Sequence, residues 1–439
     1  MIPARWPREE PLLERLLHVD PQTGALRDAR IGDLPSLLRR DDVLVVNDAA
    51  TLPGSLRGRA ADGTPLEARI LLELPGGAFR AVLFDGADWR TPTEHRAPPP
   101  FVAAGTRIDF GEVSAEVERV APLSARLVEL RFDRTGAALW SALYRIGRPV
   151  QYSHAAAPLE LWHVQVGYAS RPWAAEMPSA GRPLRWELLL ALRRRGVRLA
   201  SITHAAGLSA TGDPAIDAAL PMAERFEVPP RTAGAVAEAR DRGGRVVAVG
   251  TSVVRALEGA ASVNGGELRA CSGETDLLLG PGYQPRVVGG LLTGVHERGA
   301  SHYALLRAFA RDDVLARASA HAEAMGYLSH EFGDSWLILG ATGTNQPALG
   351  PARLGSCGSQ QLADGGRDQA QTERHHQQTD GDDDEPDDGH PQRGGETVVR
   401  GCRGNGQEQF EGGHEDRGAN QRAGEQACRP VHAHFTRKT

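Results

Sequence analysis

The residues best placed to meet a ligand lie where apolar runs stop. Arg245 to Gly250 (RVVAVG) is a Val-rich strand, and Thr251 or Ser252 is suited to cap the helix that TSVVRALEGAA would form. A strand, a glycine turn and a capped helix leave free N–H groups at the strand's carboxyl end, a geometry that serves ligand binding in α/β proteins and also occurs without ligands. DVLVVNDAA, Asp41 to Ala50, reads as a short buried strand ending in the polar turn Asn47-Asp48. That turn fits either a site or a structural Asx-turn. Between Arg134 and Arg198 stand ten arginines and three acidic residues, with Tyr152, Trp162, Tyr168 and Trp173 interleaved. Such a mixture can track phosphates and stack on a base, although Arg193 to Arg195 also suit the end of a helix for electrostatic reasons alone.

Other chemistries are excluded by what is missing. The four cysteines, Cys271, Cys357, Cys402 and Cys428, have neither paired zinc-ligand spacing nor the density of a disulfide framework. Lysine occurs once, as Lys438, which removes Schiff-base and lysine-nucleophile chemistry from the body of the chain. No run of about 18 apolar residues occurs, and the charged start MIPARWPREEPLLERL is unlike a signal peptide, so no membrane partner and a cytoplasmic location are expected.

The elements that must position these residues divide the 439-residue chain into three. Residues 1–58 and 133–340 alternate helical and strand patterns: WELLLALRRRG, VRLASIT, PPRTAGAVAEARDRGG, RVVAVG and TSVVRALEGAA. This predicts an α/β main domain with a parallel or mixed sheet. Pro229 and Pro230 suit a helix entrance, and Gly243-Gly244 its end. Residues 59–132 carry short alternating runs, ARILLEL, FRAVLF, TRIDFG, SAEVERV and ARLVELRF, which predict a small inserted antiparallel β-barrel. Residues 341–439 turn to Gly, Gln, Asp, Glu and His, including DGDDDEPDDG, with too little apolar surface to offset the entropy of ordering, and are expected to be a disordered low-complexity tail. That tail accounts for nearly all of the net charge of −6, since the body holds 39 basic against 40 acidic residues. Charge therefore says little about the body's ligands.

Several blocks together resemble the S-adenosylmethionine:tRNA ribosyltransferase-isomerase family of queuosine biosynthesis. DVLVVNDAATLPGSLRG is similar to the family's D-L-L-V-V-N-D-T-R-V-x-P-A-R-L-x-G, and RVVAVGTSVVRALE to V-I-A-V-G-T-T-S-V-R-A-L-E. GETDLLLGPGYQPRVVGGLLTGVH resembles G-x-T-D-L-F-I-x-P-G-Y followed by V-V-D-x-L-L-T-N-F-H, and FGDSWLIL resembles Y-G-D-A-M-L-I. The blocks keep family order across about residues 12 to 340. The resemblance implies an α/β domain with an inserted barrel. It also implies transfer and isomerisation of the ribosyl moiety of S-adenosylmethionine onto 7-aminomethyl-7-deazaguanine in tRNA, with release of adenine and methionine and no metal or redox cofactor.

The departures fall where chemistry is expected. Ala50 and Ser55 replace two family arginines; Pro178-Ser179-Ala180-Gly181 continues into Arg182-Pro183-Leu184 without the family histidine; and Ala219 and Met222 stand at two further histidine positions, with Glu224 kept. Thr203-His204-Ala205-Ala206-Gly207 has a histidine one position early, and Thr293-Gly294-Val295-His296 retains its histidine. The reaction needs a base for the activated 5′ carbon, an acid for departing adenine and polar contacts to the sulfonium. On the resemblance, His296 and Glu224 are the candidate bases, each equally readable as an ordinary surface group, and Asp276 is the third candidate catalytic residue. Thr275 and Asp276 would hold ribose hydroxyls or the sulfonium, or else cap a turn. Arg255 would bind the methionine carboxylate, or make a salt bridge. Asn47, Asp48, Thr251, Ser252, Pro178, Ser179 and Gly181 complete the expected substrate contacts. A paralogue binding S-adenosylmethionine or a nucleoside but using another acceptor, and a non-catalytic binding protein, stand as alternatives.

Overall fold

The computed structural model describes residues 1–299 and 301–340; the expected tail lies outside them. Along the chain, β1 (Arg15–Val19) and β2 (Leu26–Arg30) form a hairpin and β3 (Val43–Asn47) follows. Six strands then come in succession: β4 (Ser55–Arg59), β5 (Pro65–Glu73), β6 (Phe79–Asp85), β7 (Arg107–Asp109), β8 (Ser114–Val120) and β9 (Leu127–Phe132). They close into an antiparallel barrel in the order β8-β9-β6-β5-β4-β7. The alternating runs put Leu56, Ala68, Ile70, Leu83, Val117 and Leu130 inside it. Helix α1 (Gly136–Ile146) plugs it with Leu139, Ala142 and Leu143. The barrel opens at Ser55 rather than near residue 59, because Ser55 already pairs with Arg69 and Leu56 with Ala68.

The remaining elements build the second layer structure. They are α2 (Trp186–Arg194), β10 (Arg198–His204), β11 (Glu224–Val228), α3 (Pro230–Asp241), β12 (Val246–Val249), α4 (Thr251–Val263), β13 (Cys271–Thr275), β14 (Gly290–Gly294), α5 (Ser301–Leu306), α6 (Asp312–Ala324) and β15 (Ser335–Leu339). With β1, β2 and β3 they form a nine-stranded mixed sheet ordered β13-β11-β10-β3-β12-β14-β15-β1-β2. β3 lies between β10 and β12, parallel to both, and all five of its residues are buried, as a continuous apolar run demands of a central strand. One sheet face packs on α3, α4 and α6 through Val43, Val45, Val236, Val254, Leu257 and Val314. The other packs on α2 through Leu44, Leu188 and Leu192.

Two local expectations change. Helix α4 is entered through Gly250 at φ 90°, a left-handed turn that only glycine makes without strain, and no side chain caps it. The Ser252 hydroxyl is thereby left for Asn47. The stretch Arg286 to Thr293, whose residues RVVGGLLT read from sequence as one strand, pairs only from Gly290, because the N–H groups of Arg286, Val287 and Val288 all donate to the buried Glu258 carboxylate at 2.9 Å instead of to a neighbouring strand.

Candidate active site

The central parallel strands β10, β3, β12 and β14 end at one edge of the sheet, and the chain leaving β3 returns through α2 on one face whereas that leaving β12 runs through α4 on the other. Open α/β sheets hold ligands at this place. His204 ends β10, Asn47 ends β3, Gly250 follows β12, and Thr293 and His296 follow along and beyond β14. Strand alternation and register explain the juxtaposition: Ile202 pairs with Asn47, so the next residues of both strands emerge together.

Asn47 fastens the edge. Its amide donates to the His204 carbonyl at 3.0 Å and to the Ser252 hydroxyl at 3.3 Å, while its oxygen accepts from the N–H of His204 at 2.9 Å and of Ala49 at 3.1 Å. It is therefore an Asx-turn and a brace for the site at once. Asp48 accepts from the hydroxyls of Ser201 and Thr203 at 2.9 and 2.6 Å. Arg171 also donates to Thr203, and both it and Arg225 lie over the Trp173 ring, 4.2 and 3.9 Å from the centroid.

Glu224 leads β11 into the same region. One oxygen accepts from the Gly207 N–H at 2.7 Å, and the other meets Arg255 and lies 3.4 Å from His204 Nε2. Burial pushes its pKa up despite the opposing pull of Arg255. His204 is wholly buried and neither ring nitrogen has a hydrogen-bond partner. Burial first, and the Arg255 charge second, hold its pKa well below the usual histidine value, so it is neutral. Arg255 donates also to the carbonyls of Leu277 at 3.2 Å and Thr275 at 3.4 Å. Its donors are thus turned inward to the protein, which removes the free fork expected for a methionine carboxylate.

The other expected residues divide. Thr275 is buried opposite Glu224, its hydroxyl accepting from the Leu277 N–H at 3.2 Å, as a turn cap does. Asp276 beside it keeps one buried carboxylate oxygen without a partner. Pro178 precedes the single turn Ser179–Gly181, which packs beside Gly250, since a Cβ built there would lie 3.5 Å from Ala180. Thr251 is the first residue of α4. His296 hydrogen-bonds Thr293 at 2.8 Å and stacks on His302 with centroids 5.2 Å apart. Burial and the neighbouring imidazoles press its pKa to about 3, so it does not titrate near neutrality as a base there would. His204 has no role legible in sequence beyond its place at the end of the VRLASIT strand, and His302 carries no sequence signal at all. His302, whose pKa is lowered by burial and by Arg255, belongs to the same group. Six of the arginines between Arg134 and Arg198, namely Arg134, Arg145, Arg148, Arg171, Arg182 and Arg198, sit in ion pairs with glutamates, so that tract is not a continuous phosphate track.

Taken together, the edge holds neutral imidazoles, a carboxylate of raised pKa and an unpartnered carboxylate oxygen. That combination suits a ligand with hydroxyls, heterocyclic nitrogens and a positive centre. No helix among the described residues is long and apolar enough to cross a membrane.

Comparison with known proteins adds the following. Residues 2–338 match a family described as "Queuosine biosynthesis protein". A protein of Thiobacillus denitrificans named S-adenosylmethionine:tRNA ribosyltransferase-isomerase is 35% identical over 342 residues, covering 76% of this chain and 93% of that one. One of the same name from Acidithiobacillus ferrooxidans is 37% identical over 341 residues, covering 76% and 94%. A crystal structure of an S-adenosylmethionine tRNA ribosyltransferase from Thermotoga maritima matches with a TM-score of 0.43 and 24% identity over 77% of this chain and 96% of that one.

Proposed function

Because the chain belongs to the queuosine biosynthesis protein family, we propose that it transfers and isomerises the ribosyl moiety of S-adenosylmethionine onto 7-aminomethyl-7-deazaguanine in tRNA, in the cytoplasm, releasing adenine and methionine. The observation that carries this reading is the buried group of His204, Glu224, Arg255 and Asp276 at the carboxyl edge of the sheet. A sulfonium acidifies the adjacent 5′ carbon, and Glu224, with its raised pKa, is the base that takes the proton there. Arg255 positions that carboxylate rather than reading the substrate. The proton that Glu224 accepts balances the one departing adenine requires, and His204, 3.4 Å from the carboxylate, is the neighbouring group able to relay it. Asp276 supplies its open oxygen to ribose hydroxyls or to the sulfonium. His296 and His302, neutral at pH 7, serve as hydrogen-bonding partners and not as bases.

Arg225, exposed over the Trp173 ring and outside the ion pairs that engage Arg171, is the feature that best supports RNA contact, since it offers a planar cation for a phosphate beside an aromatic face. Incubation with S-adenosylmethionine and tRNA bearing the deazaguanine precursor is the direct test. Adenine release that disappears in Glu224→Gln supports the assignment; no release above background, with an active relative as control, refutes it.

A further inference from the structure

Outside that site, three potential metal ligands meet where the segment after α1 touches the turn before β15. His154 Nε2 lies 2.6 Å from Glu331 Oε2, and the His154 and His330 rings are 4.4 Å apart between centroids. One donor atom from each of His154, His330 and Glu331 falls within 4.8 Å of the other two. A hydrogen-bonded His154–Glu331 pair would be complete without His330. Yet His330 is brought against it, and its backbone is held at φ 66°, a left-handed conformation shared among described non-glycine residues only with Asp41. A β-carbon-bearing residue adopts that conformation rarely and against steric resistance. The strain places a second imidazole beside the first.

A second observation points the same way. Beside two of the three is a cavity of about 20 Å³, lined by His154 and Glu331 together with Tyr152 and Glu176. It is room for roughly one water-sized ligand. Glu176 accepts hydrogen bonds from Tyr152 and Ser209, so a second half-buried carboxylate faces the same space. His330 is exposed and gives solvent access from the other side.

We propose that His154, His330 and Glu331 bind one divalent first-row transition cation, of which zinc is the natural probe, and that the cation clips the segment carrying His154 to the turn carrying His330 and Glu331. Two imidazole nitrogens and one carboxylate oxygen are the donor set such cations favour over calcium or magnesium. Bond lengths of about 2.0–2.2 Å put ligand atoms about 3.4 Å apart in a tetrahedral site, within reach of small side-chain rotations from the present spacing. The fourth position takes water. The clip is separate from the ribosyl-transfer chemistry, which the family resemblance describes without a metal, and the absence of paired cysteines has no bearing on it.

The test uses the full chain, stripped with chelator and titrated with zinc chloride by calorimetry, with melting temperatures measured in zinc and in EDTA. Residues 341–439 contain further histidines and cysteines, so the comparison is between variants. His330→Gly removes a ligand while suiting the left-handed backbone, so its melting temperature in EDTA should equal or exceed that of the unmodified chain. It should bind one zinc fewer and lose a zinc-dependent rise of about 5 °C. Glu331→Gln should weaken the same site at least tenfold. Equal stoichiometry and equal thermal response in the unmodified chain and His330→Gly would overturn the proposal, as would zinc uptake by neither.

Discussion

Two buried charge networks in this protein are built from similar parts and end in opposite states. In the barrel, Glu67 receives Arg69 at 2.9 Å, Arg96 and the Ser55 hydroxyl at 2.7 Å, while Arg96 also reaches Asp85 at 2.7 Å and two backbone carbonyls. Burial alone would raise the Glu67 pKa, but the two guanidiniums overcome it and hold the group at about 2. At the sheet edge Glu224 has one guanidinium, and there burial wins and the pKa rises. Beside it His204 has no partner at either nitrogen and Asp276 has an open oxygen. The barrel network is charge-matched around its carboxylate, with a single Arg69 nitrogen left without a partner, and holds structure. The edge network keeps unspent hydrogen-bonding capacity, which a ligand can complete.

That contrast can be broken experimentally. The largest effect expected is on stability in the barrel: Glu67→Gln leaves two buried arginines short of charge and should cost about 3–5 kcal/mol. Denaturant unfolding measures it, and a loss no greater than that of Glu224→Gln would erase the distinction. Next, Glu224→Gln should lower the rate of adenine release by about 100-fold or more while costing less stability than the barrel change. Single-turnover assays beside melting curves separate the two effects, and an active Glu224→Gln would remove Glu224 from the chemistry. Gly250→Ala should cost about 1–2 kcal/mol, since the space for a methyl exists but φ 90° disfavours it; an unchanged denaturation midpoint would show that the turn relaxes freely.

The smallest effect concerns pH. His204, His296 and His302 all have lowered pKa values, so below about pH 6.5 the unfolded chain binds protons that the native edge refuses. Their contribution is present above that pH and is lost on acidification, for His296 progressively between 6.5 and about 3. Each such group adds a slope of at most about 1.4 kcal/mol per pH unit. His296→Asn should therefore lose less melting temperature than the unmodified chain between pH 7.5 and 5.0. Parallel curves for the two proteins would place His296 in water.

How much of this was legible beforehand depended on whether neighbours in space were neighbours in sequence. The barrel could be read from alternation over five short runs, and α3 from Pro229, Pro230 and Gly243, because each signal is local. Asn47 and Glu224 were visible as polar residues beside apolar strands. The inward commitment of Arg255 was not, since its partners Glu224 and Leu277 come from different strands or loops. Nor was the late start of β14, which depends on Glu258 from α4 capturing three N–H groups. The burial that presses His296 to about 3 is likewise a property of packing and leaves no mark on the T-G-V-H motif.

The position of β3 in the sheet also governs the order of assembly. Its partners β10 and β12 lie roughly 150 and 200 residues later in the chain, whereas the barrel between them is made largely of hairpins. During synthesis the barrel can close while β3 still waits, with both edges of a strand that opens with four apolar residues unpaired. The central strand of the finished sheet is thus the segment most open to intermolecular pairing during folding, and the chaperone demand of this protein should be set there rather than in the barrel.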